Sequence, residues 1–312
     1  MQSVSLAIIG MVTLDLVYVT KSHPREDSEN AVLAHTTAVG GPAGRSSVAA
    51  GRLGGDVRLL AMIGTGTFAD LLKTQVRTEP FTATWIETGD DSQHSCVLVS
   101  DDSGLRTTVW LPQPRANDDM LSRLDGFITG ARTVLLDCTD ETLTRQAVKT
   151  AHSLGATIVM DTGSYKHWVD DVLPSVDHII VPEKFLRKRF SGISSAKDAA
   201  VEAFRLFKPK VFGVTQGSHG GFWLDESGRH EYQSYCVDTV DTCGAGDTFH
   251  GAYAWALSAG YPLAMVFGIA AWSAGRKCAA LGNGTIPGRE ELISSLDELR
   301  QSHRHGPQMS MI

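Results

Sequence analysis

Short runs of aliphatic and β-branched residues alternate with helical segments along almost the whole chain, and this alternation limits the fold more than any other feature. Val4 to Ile9, Val57 to Ile63, Thr82 to Glu87, Thr133 to Asp137, Thr157 to Asp161, His178 to Val181 and Lys210 to Thr215 read as buried strands, mostly apolar along their length. Arg45 to Leu53, Phe68 to Val76, Thr142 to Leu154 and Ala196 to Phe207 carry helical patterns between them. Repeated β-α units imply a largely parallel sheet covered by helices on both faces. Two stretches leave this rhythm. Leu16 to Val39 has a polar middle, and His94 to Leu111 places two apolar runs around Asp101-Asp102-Ser103-Gly104, the composition of a hairpin turn. They predict a small β lid built from insertions at about 16–39 and 94–111 on one α/β domain covering 1–300. Residues 301–312, with His303 and His305, read as a frayed tail.

Composition narrows the partners. With 312 residues the chain has room for two domains of about 150 residues, although a single α/β domain can absorb most of it. The 28 Lys+Arg against 35 Asp+Glu give a net charge of −7, with no long basic run, which argues against nucleic acid or an anionic membrane and for small polar molecules. Cys96, Cys138, Cys236, Cys243 and Cys278 never stand as C-x-x-C, so neither a disulfide framework nor a zinc knuckle is indicated. Together with a first apolar run that lacks a basic leader, this predicts a cytoplasmic protein. The charge-free stretch between Asp247 and Arg276 has the length of a membrane span, but Gly260-Tyr261-Pro262 interrupts it and small residues dominate both halves. Two buried helices joined by a tight turn are expected there.

The chemistry concentrates at Asp241-Thr242-Cys243-Gly244-Ala245-Gly246-Asp247-Thr248-Phe249. Gly244 and Gly246 let successive backbone N–H groups converge, and the following helix adds its unpaired N-terminal donors and positive dipole end, so an anion belongs there. Asp247, at the same helix start, is placed to take a proton from an attacking hydroxyl. A backbone anion hole with one carboxylate suffices for phosphoryl transfer, which depends on positioning and charge stabilisation. Read alone, the segment also fits a plain turn capped by Asp247. A competing pattern is Gly64-Thr65-Gly66-Thr67-Phe68-Ala69 with Glu87 downstream, which has the form of a dinucleotide-binding turn and admits an NAD(P)-dependent oxidoreductase. No Walker A lysine motif is present.

Asp241 to Phe249, with His250-Gly251-Ala252, closely resembles the C-terminal signature of the PfkB (ribokinase-like) family of carbohydrate and nucleoside kinases. Gly40-Gly41-Pro42-Ala43-Gly44-Arg45 and the residues to Gly54 are similar to the family's N-terminal Gly-Gly element. Gly10 to Asp15 resembles its first-strand substrate aspartate, and Thr215-Gln216-Gly217-Ser218-His219-Gly220 its nucleotide-binding T-x-G-x-x-G. The resemblance implies a ribokinase-like three-layer α/β/α sandwich and transfer of the γ-phosphoryl of ATP to a hydroxyl, expected to be a primary alcohol, of a sugar or sugar-like molecule. It implies Asp247 as base, with the N–H groups of Gly244, Ala245, Gly246 and Asp247 holding the γ-phosphoryl. Thr215, Gly217 and Gly220 would lie along ATP, and Asp15, Gly40 and Gly41 along the sugar. Asp241 matches the position that shapes a monovalent cation site, which brings K⁺ beside ATP and Mg²⁺, and capping of the loop is its plain alternative. Two departures stand out. Arg45 replaces a common Asn and suits a carboxylate, phosphate or polyhydroxyl group, with an outward residue paired to a nearby acid as the plainer reading. The N-x-x-E element is broken at Val181-Pro182-Glu183, leaving Glu183 to reach Mg²⁺ through water. That break also admits an inactive ligand-binding member of the fold. A lid face that pairs between subunits predicts a homodimer.

Overall fold

The structure, a computed structural model, describes residues 5–304 except 104 and 113. In chain order the strands are β1 (Ser5–Ile9), β2 (Thr13–Thr20), β3 (Val32–Gly40), β4 (Asp56–Thr65), β5 (Thr82–Asp91), β6 (His94–Ser100) and β7 (Arg106–Trp110). They continue as β8 (Thr133–Leu136), β9 (Thr157–Asp161), β10 (His178–Pro182), β11 (Val211–Thr215), β12 (Gly221–Asp225) and β13 (Gly228–Tyr232). The helices are α1 (Pro42–Arg52), α2 (Thr67–Val76), α3 (Asp118–Ile128), α4 (Glu141–Ser153), α5 (Glu183–Arg189), α6 (Ala196–Phe207), α7 (Ala245–Ser258), α8 (Leu263–Lys277) and α9 (Arg289–Arg304).

A nine-stranded sheet has the order β13-β12-β11-β10-β9-β8-β1-β4-β5. Every pairing from β5 across to β11 is parallel, and β12 and β13 add an antiparallel hairpin at one edge. Period-two alternation divides the core. Leu6 and Ile8 of β1 pack with α1, α2, α7 and α8 on one face, while Ala7 and Ile9 pack with α3, α4, α5 and α6 on the other. This is the expected α/β/α sandwich. The β12–β13 hairpin was not anticipated, and α9 runs through Arg304 into the segment read as a tail; residues 305–312 lie outside the described residues.

A second sheet, ordered β3-β2-β6-β7, is separate from the first. Its inner residues Val17, Val97 and Val99 pack on Cys243, and Arg106 of β7 donates to the Thr242 hydroxyl at 2.6 Å. The small sheet is thereby seated on the loop that leads into α7. The charge-free stretch forms α7 and α8, joined through Gly260 at φ +81°. A Cβ at Gly251 would lie 2.2 Å from the Ser46 carbonyl, so glycine permits the close α1–α7 crossing. Among the described residues, no helix is long and apolar enough to cross a membrane.

One buried contact makes stability depend on pH. His178 of β10 is 5% exposed and its Nδ1 lies 2.8 Å from the Tyr253 hydroxyl. Burial, opposed by Asp177 and aided by Lys210, pulls its pKa from 6.5 down to about 4. Below 6.5 the unfolded chain takes a proton that the folded chain refuses until about 4, so stability is full above this window and falls as pH drops through it. The loss amounts to about 3 kcal/mol at the acid end. In urea titrations from neutral to acid pH, His178→Gln is expected to lose correspondingly less stability than wild type. Parallel pH curves would contradict this assignment.

Candidate active site

The parallel strands β1, β8, β9, β10 and β11 end on one side of the sheet, the edge at which open α/β folds bind ligands. The residues singled out from the sequence cluster around that edge and the start of α7. Gly244 caps α7 with a left-handed conformation, φ +79° and ψ 11°. A Cβ there would lie 2.2 Å from the Arg45 Cδ, so conformation and space both require glycine. The Ala245 N–H donates to the Thr242 carbonyl at 3.3 Å, whereas the N–H groups of Gly244, Gly246 and Asp247 have no acceptor among the described residues. Unpaired donors at a helix N-terminus are the arrangement that suits an anion. The Asp247 carboxylate remains 23% exposed beside them, and its main-chain carbonyl accepts from Ser46 Oγ at 2.8 Å, which fixes α7 to α1.

Arg45 does not face outward. It is 3% exposed and forms a short ion pair with Asp15, itself 4% exposed. The same guanidinium donates to Asn283 Oδ1 at 3.3 Å and to Cys243 Sγ at 3.5 Å, and stands 3.6 Å from the Asp247 carboxylate. Burial opposes its charge, yet Asp15, Cys243, Asp247 and Asp241 together hold its pKa above the ordinary guanidinium range. Asp15 also accepts from Thr13 and Ser95 hydroxyls, each at 2.7 Å. Gly40 leaves the space that this carboxylate fills, and Gly41, at φ +76°, lies against the Met11 carbonyl. Arg45 thus links β2, the α7 cap and the Asn283 loop in one buried cluster. Thr13, Ser95 and Asn283 were not anticipated; isolated polar residues carry no spacing signal.

A cavity of about 390 Å³ lies on one side of the cap. Thr215, Gly217, Gly220 and Gly246 line it, together with Ala274 and Gly275, the small face of α8. The wall from Tyr232 to Thr239 had not been assigned, and Gly275 is needed because a Cβ would meet the Tyr235 carbonyl at 2.3 Å. A second cleft, about 570 Å³, opens between Trp110 of β7 and the loops after β1 and β8, with Arg115 and Lys166 among its walls. Two buried carboxylates stand beyond it. Asp137 accepts the Met11 N–H at 2.6 Å, and burial raises its pKa. Asp161 is pushed up to about 6, mainly by burial, with His250 at 3.1 Å opposing and Asp247 adding to the rise.

Glu183, at the start of α5, accepts from Gln216 at 2.9 Å and pairs with Arg187 at 2.6 Å, and these contacts lower its pKa. Its position beside Thr215-Gln216 and its spare lone pairs fit a water-mediated contact to Mg²⁺. Asp241 is 2% exposed and bound by Lys277. At the dinucleotide-type turn a Cβ at Gly64 would lie 2.5 Å from the Asp90–Ser92 backbone and Glu87 pairs with Lys73 at 2.7 Å, whereas Gly66 is exposed to open space.

An α/β/α sandwich carrying a small β sheet over a glycine-capped helix start is the architecture of ribokinase-like enzymes. The chain belongs to the pfkB family of carbohydrate kinases, whose pattern it matches over residues 4–287. It is an ATP-dependent carbohydrate kinase. Ribokinase of Haemophilus influenzae is 26% identical, over 94% of this chain and 98% of that protein. Ketohexokinase of Mus musculus is 24% identical, over 90% and 98% respectively. Among solved structures, ribokinase from Thermotoga maritima superposes with a TM-score of 0.79 at 20% identity, covering 94% of this chain and 99% of that one. Phosphofructokinase-2 from Escherichia coli in complex with potassium gives 0.80 at 17% identity, covering 96% and 100%.

Proposed function

We propose that this kinase transfers the γ-phosphoryl of ATP to a primary hydroxyl of a sugar or sugar acid, with Asp247 as the base. The observation that carries this reading is the position of Asp247: partly exposed, beside unpaired N–H groups, and next to the glycine-lined cavity. ATP would lie in the cavity of about 390 Å³, with Thr215, Gly217 and Gly220 along its phosphates and ribose and the phosphoryl end at Gly244, Gly246 and Asp247. The Ala245 N–H already has an acceptor and contributes less. The sugar would enter the second cleft, which Met11 lines, and present its hydroxyl to Asp247. Asp15 and Arg45, with Gly40 and Gly41, would form the sugar side of the site, with the Arg45 guanidinium 3.6 Å from the Asp247 carboxylate. Mg²⁺, held through water by Glu183, would spread charge over the phosphoryl oxygens.

Several organisational features belong to the same reading. One domain, 1–300, would carry a lid at 16–39 and 94–111 that shields the transferred group from water. Exposed Leu33, Leu105, Val109 and Trp110 on that lid support a homodimer through it. Five free cysteines support a cytoplasmic location.

ADP release measured over ketoses, aldoses, aldonates, phosphorylated sugars and nucleosides tests the reading. One sugar or sugar acid should exceed the others in kcat/KM by about tenfold or more. Arg115 and Lys166 line the cleft together with Asp140 and Glu141, so the panel spans neutral and acidic sugars alike. A nucleoside as best substrate would revise the acceptor, and ligand binding without turnover across the panel would instead support an inactive binding protein.

A further inference from the structure

Lys277 is the last residue of α8, and its side chain is fully buried. Its ammonium donates to the Asp241 carboxylate at 2.7 Å and to the Asp241 main-chain carbonyl at 2.8 Å. The same carboxylate accepts the Cys243 N–H at 2.8 Å and the Gly282 N–H at 3.1 Å. One aspartate therefore ties the end of α8, the Gly282 turn and the loop entering the α7 cap to a single cation. Around this loop, the N–H groups of Val240 and Asp241 donate to the Cys278 carbonyl at 2.8 and 3.2 Å. Burial opposes the ammonium charge and lowers its pKa, while Asp241 supports the charge and nearby Arg45 opposes it.

A carboxylate and a carbonyl converging on one point offer the oxygen environment that a hard monovalent cation takes. In this chain the point is occupied by a compact ammonium on a covalent stem. A free potassium ion at the same oxygens would meet the ammonium at contact distance, where like charges in a poorly hydrated site repel strongly. The residues at Asp241 therefore do not fit a free cation. We propose that Lys277 is a built-in monovalent cation, positioning the Asp241–Gly244 segment so that the anion-binding cap forms without potassium. The proposal rests on the reading of that cap as the phosphoryl site. Lys277 is a positioning residue: it acts on the cap through Asp241 and the Cys243 N–H.

The first test needs no variant. ATP affinity by calorimetry and kcat/KM are measured in potassium chloride and in tetramethylammonium chloride at equal ionic strength. Both should agree within about twofold, since a tethered charge needs no site to be filled. Potassium activation of wild type by more than about fivefold would overturn the proposal. The second test is Lys277→Met, which keeps length and packing but removes the charge. The variant should bind ATP about tenfold more weakly in tetramethylammonium and recover in potassium or ammonium chloride, with its melting temperature rising in the same salts. A purely structural lysine gives no cation-specific rescue, so a variant equally impaired in every salt would overturn the proposal. If Lys277→Met does not fold, the wild-type comparison decides alone. The binding and melting measurements do not depend on turnover. A wild type that binds ATP without phosphorylating any sugar therefore contradicts the proposed function while leaving the cation test intact.

Discussion

Asp247→Asn is expected to lower kcat by about 10²- to 10⁴-fold, the range that a positioned base contributes. Asparagine keeps the shape of the side chain and the Ser46 contact, which goes to the main-chain carbonyl. The unpaired N–H groups at the cap and the glycine-lined cavity are also unchanged. ATP affinity should accordingly stay within about threefold, so the loss falls on kcat rather than on nucleotide binding. The weak ion pair to Arg45 at 3.6 Å is lost, but Arg45 retains its closer partner Asp15. Coupled ADP release and calorimetry separate the two quantities. A variant with kcat within a few-fold of wild type would remove Asp247 from the proton transfer.

The largest effect on stability is expected from Arg45→Met. The Asp15–Arg45 pair is almost fully buried, and removing one partner of such a pair costs about 3–5 kcal/mol because it strands the other charge. Methionine restores most of the packing, so the loss reports on charge rather than on a cavity. The Thr13 and Ser95 hydroxyls remain on Asp15 but cannot neutralise it. Adding Asp15→Asn should recover part of the loss at neutral pH. Chemical denaturation of wild type, the single variant and the double variant decides this, and a deficit below about 1 kcal/mol for Arg45→Met would contradict the buried-pair assignment.

The sequence is most informative where one residue pattern has one physical solution. Strands such as Thr157–Asp161 and Val211–Thr215 are legible because a short apolar run between helices has few places to go except a parallel sheet. The break at Gly260-Tyr261-Pro262 separates α7 from α8 for local reasons, proline geometry and a glycine at positive φ. The β12–β13 hairpin is less legible because β13, Gly228–Tyr232, is a mostly polar edge strand without a marked apolar run. Side-chain direction is the harder problem. Arg45 sits in a helix of small residues whose exposure depends on α7 and the Asn283 loop, both distant in sequence, so an outward orientation read as well as an inward one. Arg276 and Lys277 look alike at the end of α8, where basic residues ordinarily complement the helix dipole. Arg276 pairs with Glu291 at the surface, while Lys277 turns inward to Asp241. Similarly, Gly64 and Gly66 have the spacing of a dinucleotide turn, and only the return of β5 across Gly64 shows that the first of these glycines is closed to a ligand.

Transfer of label from γ-labelled ATP to a sugar is the most direct measurement of the proposed reaction. Wild-type protein, ATP and the best substrate of the panel should yield a labelled sugar ester in one-to-one proportion with ADP, and Asp247→Asn should yield almost none. Label appearing in inorganic phosphate instead of sugar, or ester formation that is unaffected by Asp247→Asn, would contradict the assignment of Asp247 as the base that directs the phosphoryl group to a sugar hydroxyl.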